Sequence, residues 1–135
     1  MNWKHITSIA AVGFTLGCAH DGAYIPVTEP EAAAENYHTV VLLDEDLADL
    51  IAVEGQRARY SDDGRLQVYA NFRNREDKRV TVQVQTVFKD ENGFSTGDET
   101  AWETIIIPEL AQTTYQNIAQ NSKARRYTIR VRTLR

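Results

Sequence analysis

Chemistry in this 135-residue chain must come from three histidines, one cysteine, 19 acidic and 15 basic side chains. The histidines, His5, His20 and His38, are strung out along the N-terminal part of the chain. Zinc sites and acid–base catalysis need convergent His, Cys or carboxylate groups. At most one of these histidines falls in the part that reads as folded, so no metal centre is expected. There is no Gly-x-Ser-x-Gly, no phosphate-binding loop and no glycine-rich dinucleotide turn. Asp44-Glu45-Asp46 lacks the turn glycine and closing glutamate of a calcium loop. It reads instead as the start of one helical turn, where negative charge suits the N-terminal dipole. Asp62-Asp63 and Asp98-Glu99 read as solvated turn acids. The expectation is therefore no catalytic residue, no cofactor and no enzyme activity.

What remains is binding. Lys123, Arg125, Arg126, Arg130, Arg132 and Arg135 crowd the C-terminal segment. Arg125, Arg126, Arg130 and Arg132 are the candidate residues for an anionic partner: peptidoglycan carboxylates, lipopolysaccharide phosphates or an acidic protein face. The competing reading is a solvated sheet face whose charges protect a strand edge, and it is preferred because surface charge runs are common. Arg57, Arg59, Arg73, Arg75, Lys78 and Arg79 add positive charge earlier in the chain. The formal net charge is −4, so the basic excess of a nucleic-acid binder is missing.

The elements that must position these residues are strands. In Leu66-Gln67-Val68-Tyr69-Ala70-Asn71-Phe72 and in Val80 to Phe88, apolar residues take alternate places, the period of a half-buried strand. Arg73 to Lys78 is a short polar join, so the two runs read as a half-buried antiparallel sheet organising the chain. Asn92-Gly93 and Asp63-Gly64 are turn signals. Further strands are expected at Thr39–Leu43, at Ile51–Tyr60 (glycine-containing, an edge or bulged strand) and at Thr100–Ile107. The Ile105-Ile106-Ile107 run predicts that both faces of the Thr100–Ile107 strand are covered. Strands at Thr113–Ala119 and Tyr127–Thr133 follow, the last with Tyr127, Ile129 and Val131 inward and Thr128, Arg130 and Arg132 outward. About seven strands with regularly spaced turns indicate an all-β, single-domain antiparallel β-sandwich, immunoglobulin-like in layout without its cysteine pair. The expected core is Leu66, Val68, Phe72, Val82, Val84, Phe88, Trp102, Ile106, Ile129 and Val131.

The N-terminus reads as an address. Ile6 to Leu16 is an uncharged, mostly apolar run behind Lys4. As a helix it spans about 16 Å, short of the roughly 30 Å hydrocarbon core, so it reads as a secretory signal and not a transmembrane anchor. Leu16-Gly17-Cys18-Ala19 resembles the bacterial lipobox, with the one cysteine of the chain at the lipidation position. The resemblance implies a signal peptide over 1–17, a lipidated Cys18 opening a proline-containing tether over 18–37, and a sandwich over 38–135. Ala19 after the cysteine implies the outer membrane, facing the periplasm. The alternative is ordinary cleavage after Ala19 and a soluble periplasmic product.

From about Leu66 onward the chain resembles the YcfL-like family of small bacterial lipoproteins of uncharacterised function. The likeness lies in Asn71 and Asn74 after a hydrophobic strand and in Val82–Phe88 before Asp90-Glu91-Asn92-Gly93. It continues through Trp102, Pro108 and Ile118-Ala119-Gln120-Asn121-Ser122-Lys123-Ala124 to Tyr127, Ile129 and Arg130. It implies an envelope β-sandwich and brings no active site. The expected function is a lipid-anchored, non-catalytic accessory or adaptor that binds an envelope protein, with cell-wall synthesis machinery as one client. The alternative is a module that binds an anionic envelope glycan or lipid head group through the C-terminal arginines.

Overall fold

Alternation in the sequence becomes alternation of burial. The computed structural model describes residues 39–134. The expected leader, Cys18, the expected tether, His38 and Arg135 lie outside the described residues. Seven strands form: β1 (Val40–Leu42), β2 (Ile51–Tyr60), β3 (Leu66–Asn74), β4 (Val80–Lys89), β5 (Glu103–Ile107), β6 (Gln112–Ile118) and β7 (Arg126–Thr133). One helical turn, α1 (Leu47–Leu50), follows the acidic Asp44–Asp46 run as expected. In β3, Leu66, Val68, Ala70 and Phe72 are buried while Gln67, Tyr69, Asn71 and Arg73 face away from the core.

The strands make two sheets, one ordered β1-β7-β4-β5 and the other β2-β3-β6. Side chains of both inner faces fill one core, among them Val68, Phe72, Val82, Val84, Phe88, Ile129 and Val131. Leu47 of α1 is fully buried in the same core. A buried hydrogen bond of 2.8 Å between the Thr86 and Tyr115 hydroxyls ties β4 to β6 across the two layers.

Four expectations are corrected. First, β3 and β4 are not partners: β3 pairs with β2 and β6, and β4 with β5 and β7. Their apolar faces meet across the core, and the polar join carries the chain from one layer to the other. Second, the sandwich is not wholly antiparallel. β1 runs parallel to β7, with Val40 opposite Ile129 and Leu42 opposite Val131.

Third, Trp102 and Ile106 leave the core. Ile105 and Ile107 pair with Val82 and Val80 and point inward, so Ile106 between them faces out and is 52% exposed. Only one face of that strand is covered. Trp102 precedes β5 and is half-buried, with the Arg132 guanidinium 3.9 Å from its ring. Fourth, two polar residues expected in solvent are buried. Thr128 is outward by alternation but accepts a 3.0 Å hydrogen bond from the Lys89 ammonium. Asp98 accepts from the Thr96 hydroxyl and from the backbone N–H of Gln120 at 2.9 Å, pinning the β4–β5 loop to the β6–β7 loop.

Candidate functional site on the outer face of the three-stranded sheet

Among the described residues β2 is an edge strand, paired only with β3, and its register breaks between Val53 and Gly55. The bulge is legible in the sequence as a glycine within a strand pattern. Beyond it the pairing is regular: Gly55 lies opposite Asn71, Arg57 opposite Tyr69 and Arg59 opposite Gln67. On the other side of β3, Thr114 lies opposite Asn71 and Gln116 opposite Tyr69. All these residues share the outer face, because they hold matching places in a period-two pattern.

The Tyr69 ring organises the face. The Arg57 guanidinium carbon sits 4.6 Å from its centroid and that of Arg59 5.6 Å, within the range of cation–π attraction. Arg59 Nε donates to Gln67 Oε1 at 3.0 Å. The Thr114 hydroxyl donates to Asn71 Oδ1 at 2.7 Å, which fixes the amide and leaves its Nδ2 toward Gly55. At Gly55 lies a hollow of about 410 Å³, bordered by Gln56, Arg57, Tyr69, Asn71 and Thr114.

The charges on this face are unequally satisfied. At one end Glu54 is hydrogen-bonded and ion-paired to Arg73, which holds its carboxyl below the usual carboxylate range and raises the Arg73 guanidinium. At the β2–β3 turn Asp63 is hydrogen-bonded first by Ser61 and then by Arg65, and its carboxyl is likewise lowered. Arg57 and Arg59 pair with no carboxylate among the described residues. A guanidinium held against a ring, with N–H groups left over, is suited to a carboxylate or phosphate.

The C-terminal arginines do not gather into one cluster. Arg126, Arg130 and Arg132 alternate along the outer face of the other sheet, whereas Arg125 is drawn aside. Its guanidinium donates to the carbonyls of Ser122 at 2.8 Å and Ala124 at 2.9 Å and lies 5.7 Å from the Tyr60 ring. Arg130 donates to Gln85 Oε1 at 3.4 Å and Arg132 to Gln83 Oε1 at 2.9 Å. Sequence reasoning counts Arg57 and Arg59 only as added charge and misses Tyr69, Asn71, Gly55 and Thr114 as site residues. A signal is present all the same: counting outward from Asp63, the middle of the three-residue Asp62-Asp63-Gly64 turn, puts Arg57 opposite Tyr69. Among the described residues, no three His, Cys, Asp or Glu side chains converge as a metal-binding group.

A two-sheet, seven-stranded β-sandwich with a polar, arginine-bearing outer face is the class of protein these features define. The chain belongs to the family described as protein of unknown function (DUF1425), whose model matches residues 38–133. It is similar to the crystal structure of Campylobacter jejuni cj0090, with 19% sequence identity and a TM-score of 0.57 over 71% of this chain and 98% of that one. It is similar also to a DUF1425 family member from Shewanella sp. pv-4, at 20% identity and a TM-score of 0.58, covering 63% of this chain and 79% of that one. Identities this low show the shared fold alone. No curated protein matches the chain significantly.

Proposed function

We propose that this protein is a lipid-anchored accessory of the bacterial envelope that works by binding a partner protein and not by catalysis. The outer face of β2-β3-β6 is the contact surface. The observation that carries this reading is the Arg57–Tyr69–Arg59 stack: two guanidiniums on one ring, without a carboxylate partner among the described residues. Arg and Tyr are among the residue types that dominate interface energy. The envelope address rests on the lipobox-like Leu16-Gly17-Cys18-Ala19 and on the resemblance to YcfL-like lipoproteins. Cell-wall synthesis machinery is the first client class to test.

The test is in-cell crosslinking. A photoreactive residue at Gln116, exposed on this face, should capture one discrete protein, and Arg57→Glu should abolish the adduct. The same probe at Phe94, which stands 72% exposed on the β4–β5 loop, samples a second surface. If Gln116 captures nothing while Phe94 does, the contact lies on the loop and this face is an ordinary solvated one.

A second reading, binding of an anionic glycan or lipid head group, is favoured by one feature, the Arg132 guanidinium seated 3.9 Å from the Trp102 ring on the other sheet. Salt-sensitive pull-down with isolated peptidoglycan, lost in Arg132→Gln, would support it.

A further inference from the structure

The hollow at Gly55 has a chemistry of its own. A Cβ built on Gly55 would meet only Asn71 Nδ2, at 3.9 Å, so a side chain placed there would enter the space without a clash. One wall is Arg57 and another is the Asn71 amide. That amide is oriented by Thr114, and its Nδ2 donates to no group among the described residues. These are N–H donors bordering about 410 Å³ of space, with no carboxylate among the lining side chains. Such a site takes an anion with two acceptor oxygens. The Tyr69 ring is already engaged by Arg57 at 4.6 Å and Arg59 at 5.6 Å, which disfavours its use as a platform for a stacked sugar.

The hollow also borders an open edge. β2 has ten residues and, among the described residues, pairs only with β3. The Gln56 side chain accepts from the Thr39 hydroxyl, and beyond it Arg57 to Tyr60 is exposed. Alternate N–H and C=O groups of such a strand point away from its partner and are available to an added strand. Arg57 and Arg59 stand two residues apart on one face of that edge, the spacing at which same-face side chains of an added strand would pass.

We propose that the hollow at Gly55 seats a carboxylate of an extended acidic peptide segment of the partner, laid along the edge of β2, with Arg57 and Asn71 Nδ2 as its donors. A second acid two residues along meets Arg59. This rests on the protein-binding reading above and names the kind of segment that reading requires.

The full chain in detergent is titrated at low salt with a peptide of alternating glutamate and threonine. The same peptide with glutamine for glutamate and an oligogalacturonate of equal charge serve as comparisons. The acidic peptide should shift the amide resonances of Gly55, Arg57 and Asn71, and the glutamine peptide should not. Gly55→Val fills the hollow, and Gly55 is not among the positive-φ glycines, so the backbone accepts a side chain there. It should weaken binding at least about tenfold, as should Arg57→Gln, because each removes a close charge contact or its room. Binding unchanged in Gly55→Val would show that the hollow is not the seat. Oligogalacturonate binding as tightly, with the same shifts, would make the ligand a glycan and overturn the peptide. No binding of the acidic peptide overturns the proposal even if Gln116 captures a protein in cells. Peptide binding without any captured partner leaves the site standing and removes the adaptor function.

Discussion

Asn74 holds more of this fold than its place at the end of a strand would indicate. It is buried, and its Nδ2 donates to the carbonyls of Lys78 at 2.7 Å, Ile107 at 3.1 Å and Pro108 at 3.0 Å. Its Oδ1 accepts from the Glu76 N–H at 2.8 Å. One amide thus fixes the turn from β3 toward β4 and anchors the end of β5 from the opposite sheet. Asn74→Ala strands these carbonyls and should cost about 2–3 kcal/mol of unfolding free energy, measured by urea denaturation. A loss within error would mean that water replaces the amide there. Asp98 is a fastener too: its carboxylate is engaged by backbone N–H groups and a hydroxyl. Neither role can be read from residue type, because satisfaction depends on which carbonyls and amides tertiary packing brings within reach.

At the scale of elements, a period of two decides which side of a strand is buried but not which strand it pairs with. Val84 illustrates the first part: on β4 it is fully buried in the shared core. Val84→Asp should leave the domain unfolded, because an unpaired buried charge costs several kcal/mol against a total of about 5–15. A variant with the parent's thermal melt would show that this face is not internal. β3 and β4 illustrate the second part. Both alternate cleanly and sit close in sequence, yet they face each other from different sheets. The polar run between them is compatible with a hairpin or with a layer crossing. The β2–β3 hairpin, by contrast, is legible once its turn is read as the three residues Asp62-Asp63-Gly64, with Gly64 at φ 80°, because the register then counts out from Asp63. Every residue bordering the hollow except Thr114 lies on that hairpin and can be counted out from that turn. Thr114 arrives on β6 after two further strands in the other sheet, and no local signal carries that pairing.

For the whole molecule, the anchor is the remaining prediction. Cys18→Ala should abolish palmitate incorporation and release the protein from membranes; a parent that takes up no label would refute the anchor. Residue order alone was enough to establish an all-β domain, the oily and polar faces of β3 and the buried Val80, Val82 and Val84 of β4, the places of its tight turns, and β2 as an irregular edge. Each of these is set by side chains within a few residues of one another, through pleat geometry and the φ demands of Asp-Gly and Asn-Gly turns. The closed fold was needed to place β1 parallel to β7, to turn Ile106 and Trp102 away from the core, and to bring Arg57, Tyr69, Asn71 and Thr114 around a hollow. Those outcomes depend on strand partners distant in sequence, chosen by how two apolar faces can close over a common core, and no local pattern encodes that choice.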